Sequence, residues 1–124
     1  MTFAFWCVFA ASLLPLISAH ISKVGAKDFD NAAPRDWIET QSGWRRRADW
    51  AQRNHLEALP VFVAAVTIAA LAHAPQWSAD LLAGMFVVLR IAYTAAYIFD
   101  RPTLRSALWS LGLACIVGLF IISV

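Results

Sequence analysis

The 124 residues carry ten Lys and Arg against eight Asp and Glu, a net charge of +2, with 60% hydrophobic and only 15% charged residues. A mean hydropathy of +0.62 lies well above that of a soluble domain, and so small a basic excess, interspersed with acids, excludes nucleic acid as a partner. Cys7 and Cys115 sit in apolar runs without CxxC spacing or a neighbouring His or Asp, so they read as packing residues and no metal is expected.

The first predicted helix, about 3–20, is uncharged and close to the twenty residues that a bilayer core demands. Residues 1–19 lack the Lys or Arg that opens a signal peptide, so this segment reads as a retained span. A polar loop follows over about 21–47, with Gly25, Pro34 and Gly43 as its breakers. The second helix is expected over about 48–73. Its uncharged part, Ala58–Ala72, is short for a bilayer, so the polar start from Trp50 to Glu57 must enter the membrane boundary and partly submerge Asn54 and Glu57. Pro75 breaks the chain before a third helix at about 79–99, and Arg101-Pro102 stops that helix and starts a fourth at about 104–124. The expectation is one all-α transmembrane domain over 1–124, a four-helix bundle. Lys23, Lys27, Arg35, Arg45, Arg46 and Arg47 flank the first loop and Arg101 and Arg105 the last, which makes both loops cytoplasmic and puts both termini on the other side.

Leu81–Phe99 is free of charge except for Arg90. A guanidinium at the middle of a membrane helix costs roughly 2.5–3.5 kcal/mol on insertion scales, so it should face a polar partner, a cavity or a ligand. Arg90, Tyr93 and Tyr97 follow i, i+3, i+7 and share a stripe, while Gln52, Arg53, Asn54 and Glu57 fall within two turns of the second helix, Asn54 and Glu57 on one face. One reading pairs Glu57 with Arg90 in a buried network that only fixes helix packing. Against it, Arg53 and Arg105 leave more cations than Glu57 neutralises, which invites an anion. Arg45-Arg46-Arg47 read instead as anchors to anionic lipid headgroups. A ligand with carboxylates and an ammonium suits several arginines and one glutamate, and a thiol beside a guanidinium is stabilised as thiolate. Glutathione meets these conditions.

The segments Gln52-Arg53-Asn54-His55-Leu56-Glu57-Ala58-Leu59-Pro60 and Arg90-Ile91-Ala92-Tyr93-Thr94-Ala95-Ala96-Tyr97, then Arg101-Pro102-Thr103-Leu104-Arg105-Ser106, resemble the MAPEG family, membrane-associated proteins in eicosanoid and glutathione metabolism. Asp30-Asn31-Ala32-Ala33-Pro34-Arg35 resembles the DNxxPR signature of its bacterial branch. The resemblance implies a left-handed four-helix bundle in a bacterial inner membrane, assembling as a homotrimer with glutathione between neighbouring subunits near the cytoplasmic side. Gln52, Asn54 and Glu57, with Arg53, would bind glutathione, Arg90 and Tyr93 would brace it, Tyr97 would contact it, and Arg105 would stabilise its thiolate, with Ser106 either near the sulfur or a helix cap. The implied activity is glutathione transfer to, or peroxide reduction of, a lipophilic small molecule taken from the surrounding lipids. One departure is Trp50, where relatives carry an arginine that grips a glutathione carboxylate; Arg47 and Arg53, three residues to either side, are the expected substitutes.

His55 is placed on the flank opposite Asn54 and Glu57, and His20 and His73 at membrane edges, all three as interfacial or packing residues. Two other function classes stand beside the enzyme. A small transporter lacks an acid on its first helix, and the arginine excess would repel cations; a non-catalytic bundle would use the charged network for packing alone.

Overall fold

The computed structural model describes residues 1–124 and is all-helical: α1 (Phe3–Lys23), α2 (Pro34–Glu39), α3 (Gly43–Leu71), α4 (Gln76–Ile98) and α5 (Pro102–Ile121). All but α2 are long and apolar enough to cross a membrane, so the chain is an integral membrane protein built as a four-helix bundle. The expected loop is shorter than 21–47, because α1 runs on to Lys23 and α3 starts at Gly43 rather than at about 48.

Helices α3 and α4 lie against each other, and each touches α1 on one side and α5 on the other. The contact stripes are made of small residues at helical spacing: Ala4, Cys7 and Ala11 on α1, Ala65 and Ala69 on α3, and Ala79 and Ala83 on α4. Without a hydrophobic drive between helices in lipid, close approach over such residues is what holds a membrane bundle together. Phe62 and Phe86 fill its middle, stacked at 4.0 Å between ring centroids.

The turns that reverse the chain are built alike. After α3, His73 N–H donates to the Ala70 carbonyl and Ala74 N–H to that of Ala69; after α4, Asp100 N–H donates to Tyr97 and Arg101 N–H to Ala96. These are Schellman caps, with His73 and Asp100 in the left-handed region at φ 55° and 56°. Each is followed at once by a proline, Pro75 or Pro102, that cannot continue the old helix and opens the next. At the opposite pole of α1, Asp80 Oδ1 accepts from the otherwise unpaired Ala4 N–H at 2.8 Å.

Arg45, Arg46 and Arg47 correct the lipid-anchor expectation. Successive residues of a helix point about 100° apart, and each of these guanidiniums reaches the C-terminal carbonyls of a different helix. Arg45 donates to Ser22 O of α1 at 3.0 Å, Arg46 to Ile38 O of α2 at 3.2 Å, and Arg47 to Ile98 O of α4 at 2.9 Å. Cations placed at free helix-end carbonyls satisfy both the orphan acceptors and the negative pole of the helix dipole. The start of α3 is thus the hub against which α1, α2 and α4 end.

Candidate functional site: a buried arginine beside an open cleft

Arg90 lies about two turns, roughly 12 Å, inside the C-terminal end of α4 at 1.5 Å per residue, and only 3% of its surface is exposed. Burial at this depth demands partners, and α3 supplies them. Nη2 donates to Asn54 Oδ1 at 2.9 Å, while Nε and Nη2 lie 3.2 and 2.9 Å from His55 Nδ1. His55 Nε2 is 2.7 Å from Thr94 Oγ1, whose hydroxyl donates to the Arg90 carbonyl at 3.1 Å. The Glu57–Arg90 ion pair weighed from the sequence is not formed: the ion pairs join Arg46 and Arg53 to Glu39 and Asp49, and the exposed Glu57 accepts from Asn54 Nδ2 at 3.3 Å. A buried guanidinium therefore stands without a carboxylate beside it.

The stripe expected on α4 is present and is linked through its aromatic rings. Arg90 Cζ lies 4.2 Å from the Tyr93 ring, Tyr93 meets Tyr97 edge-to-face at 5.5 Å, and Arg105 Cζ from α5 lies 4.5 Å from the Tyr97 ring. Two cations thus bracket two stacked-in phenols, each held by a ring face. On the other side of Arg90 an open cleft of about 230 Å³ runs between α3, α4 and α5, polar where Asn54, Glu57 and Arg90 meet and apolar along Val61, Trp109 and Leu113. A charged head with a bilayer-facing apolar arm suits an amphiphilic pair of reactants.

The sequence-expected residues fall into two groups. Asn54, Glu57 and Arg90 share the cleft, with Tyr93, Tyr97 and Arg105 joined to them through the ring ladder. Gln52 and Arg53 point elsewhere, into a second cavity of about 500 Å³ between α1, α2 and α3. There Arg53 pairs with Glu39 at 2.8 Å and with Asp49 at 3.0 Å. Hydrogen bonds from Arg46 and then Arg53 hold the Glu39 carboxyl below its usual range. Ser106 is exposed at the start of α5, and its carbonyl accepts from the Ser110 hydroxyl.

Within one chain, neither expected substitute for an arginine at Trp50 lies at the Arg90 cleft. Arg47 is engaged at the end of α4 and Arg53 in the acid pair, whereas Trp50 stands half-exposed with its ring 6.2 Å from that of Tyr97. His55 is the larger correction, because it faces α4 and not the opposite flank, 4% exposed and bonded to Arg90. Its signal was in the sequence: Ala48, Ala51, His55, Phe62, Ala65 and Ala69 form one stripe at helical spacing, so His55 belongs to the buried face of α3. Thr94, one turn after Arg90, was likewise missed; Asp49 carried a signal as a partner of Arg53, four residues before it on the same helix, whereas Glu39 carried none. No group of His, Cys, Asp or Glu side chains is placed to hold a metal ion.

The model of the MAPEG family matches residues 3–124, essentially the whole chain. No curated protein and no solved structure matches it.

Proposed function

The chain belongs to the MAPEG family, and from that membership and the Arg90 cleft we propose that it is a glutathione-dependent membrane enzyme, a transferase or peroxidase acting on hydrophobic electrophiles. The observation that carries the reading is a buried arginine with no carboxylate partner, opening onto a cleft that also presents Asn54 and Glu57. Arg90 and Asn54 offer donors to a carboxylate, Glu57 an acceptor to an ammonium, and the two tyrosines a wall. Arg105 holds the sulfur as thiolate after its proton passes to water. The thiolate's electron pair forms a bond to an electrophilic carbon and the leaving group departs with its own pair; with a hydroperoxide, two thiols become a disulfide as the peroxide yields an alcohol and water.

A cleft of about 230 Å³ is smaller than the roughly 300–1,000 Å³ of small-molecule sites, which supports a ligand that also extends onto a second copy. In a homotrimer with a head-to-tail interface, the Gln52 and Arg53 face of one subunit meets the Asn54, Glu57 and Arg90 face of the next. That arrangement gives all the expected binding residues one ligand although they lie on two faces here. The reading extends to a bacterial inner membrane with both termini on the non-cytoplasmic side, which the basic loops support.

A second reading has one observation behind it: Arg90 is hydrogen-bonded within the chain, as a purely structural network would be. Ultraviolet difference spectra on adding glutathione to detergent-solubilised protein separate the two. A saturable thiolate band near neutral pH, lost in Arg105→Ala while assembly persists, is the expected result. No band and no glutathione-dependent thermal shift would leave the packing network; a band of equal size in Arg105→Ala would remove that arginine from the chemistry.

A further inference from the structure

Arg90 is oriented by an imidazole where a carboxylate is the common choice, and this decides what its charge is free to do. A guanidinium has no acceptor, so His55 Nδ1, which faces both Nε and Nη2 of Arg90, must present its lone pair. The proton is then on Nε2, which donates a hydrogen bond to Thr94 Oγ1, and the threonine hydroxyl in turn donates one to the Arg90 carbonyl. Side chain and main chain of Arg90 are thereby joined in a ring of bonds that admits one tautomer, neutral His55. Nη1 is the remaining edge. It makes no hydrogen bond in the chain and is not among the buried unpaired side-chain atoms, Trp37 Nε1 and Asp49 Oδ2, so it reaches accessible space, and Arg90 lines the cleft.

We propose that His55, held as the Nε2–H tautomer by the Arg90 donors at Nδ1 with Thr94 accepting at Nε2, is the positioning residue of this site: it turns Nη1 of Arg90 into the cleft and, being neutral, leaves the full guanidinium charge for an anionic ligand. The inference rests on the glutathione reading for the identity of that anion, a carboxylate of the tripeptide. A carboxylate in the place of His55 would orient Arg90 equally well but would neutralise it and compete with the ligand. His55 does not touch the ligand; it acts through Arg90.

The test uses the full chain in detergent micelles, with glutathione affinity, melting temperature and imidazole ¹⁵N shifts measured on the same samples. His55→Asn keeps an acceptor near the Nδ1 position and is expected to retain binding within about threefold, about 0.7 kcal/mol. His55→Asp supplies an acceptor with a charge and is expected to weaken binding by roughly ten- to hundredfold, the range of a charge-assisted hydrogen bond, without a lower melting temperature. A merely structural histidine predicts the reverse, binding and melting temperature moving together in both variants. Unchanged affinity in His55→Asp overturns the proposal. The ¹⁵N spectrum of ligand-free wild type should show His55 protonated at Nε2 alone, and Thr94→Val should keep that tautomer because the Arg90 donors at Nδ1 remain; a protonated Nδ1 overturns the positioning role whether or not glutathione binds. Failure of wild type to bind glutathione overturns the ligand and is read on a separate signal.

Discussion

Trp50 lies one and two turns along α3 from Asn54 and Glu57 and puts its ring near Tyr97, where the ring ladder from Arg90 reaches Arg105. An arginine there would add a donor fork to the same face without displacing a buried group, since Trp50 is 42% exposed. Trp50→Arg is expected to tighten glutathione binding about tenfold, equivalent to one charge-assisted hydrogen bond, in equilibrium binding on solubilised protein. Unaltered affinity would mean that Arg90 alone supplies the carboxylate grip. The residue scale also shows how far a helical wheel can be trusted. Asn54 and His55 are neighbours about 100° apart, and Arg90 bonds to both by reaching between them. Stripe counting assigned one of them to the site and the other to the opposite flank, because it treats the partner helix as a line and not as a side chain with two edges.

Elements are joined here at their ends. Three consecutive arginines at the start of α3 hold the C-terminal carbonyls of α1, α2 and α4. Arg47→Ala frees two bonds to Ile98 O and is expected to cost about 1.5–3 kcal/mol of stability, read as a lower unfolding midpoint, with Arg45→Ala costing less because it loses one bond. The contact of α2 with α3 is titratable through Glu39. Its folded pKa is depressed by Arg46 and Arg53, so its contribution is present above the ordinary value of 4.5 and is lost as pH falls through the depressed one. Protection factors over 24–42, taken relative to intrinsic exchange at each pH, should therefore fall on acidification below about pH 4.5, whereas Glu39→Gln should be less protected already at neutral pH and lack that acid-side step. An identical acid response in Glu39→Gln would remove Glu39 from that step. The basic run looked like a lipid anchor because its acceptors are backbone carbonyls more distant along the chain, which carry no mark in the sequence.

For the whole molecule, the division of the candidate site between two faces of α3 is the consequential feature. Arg53 and Gln52 look toward α2 while Asn54 and Arg90 look into the cleft, so an isolated chain keeps them apart, and the proposed head-to-tail ring of copies is what would bring them to one ligand. Complementation tests this: Arg53→Ala and Asn54→Ala should each bind glutathione weakly, and their co-assembly should regain roughly a quarter of the wild-type sites, those in which each interface draws its intact face from a different copy. No recovery in mixed assemblies that sediment as trimers would confine the site to one chain.

The four spans, the prolines that part them and the unusual cost of Arg90 were decided by the sequence itself, because hydrophobic length, helix breaking and the desolvation of a charge are local properties. The partners of that charge were decided only by the tertiary structure. The stripe of Ala48, Ala51, His55, Phe62, Ala65 and Ala69 marks the buried face of α3, but faces lined with alanine do not mark the rotation at which Arg90 reaches both Asn54 and His55. What sets the rotation is the sum of specific contacts at the helix ends and around Arg90, and those exist only once the helices have met.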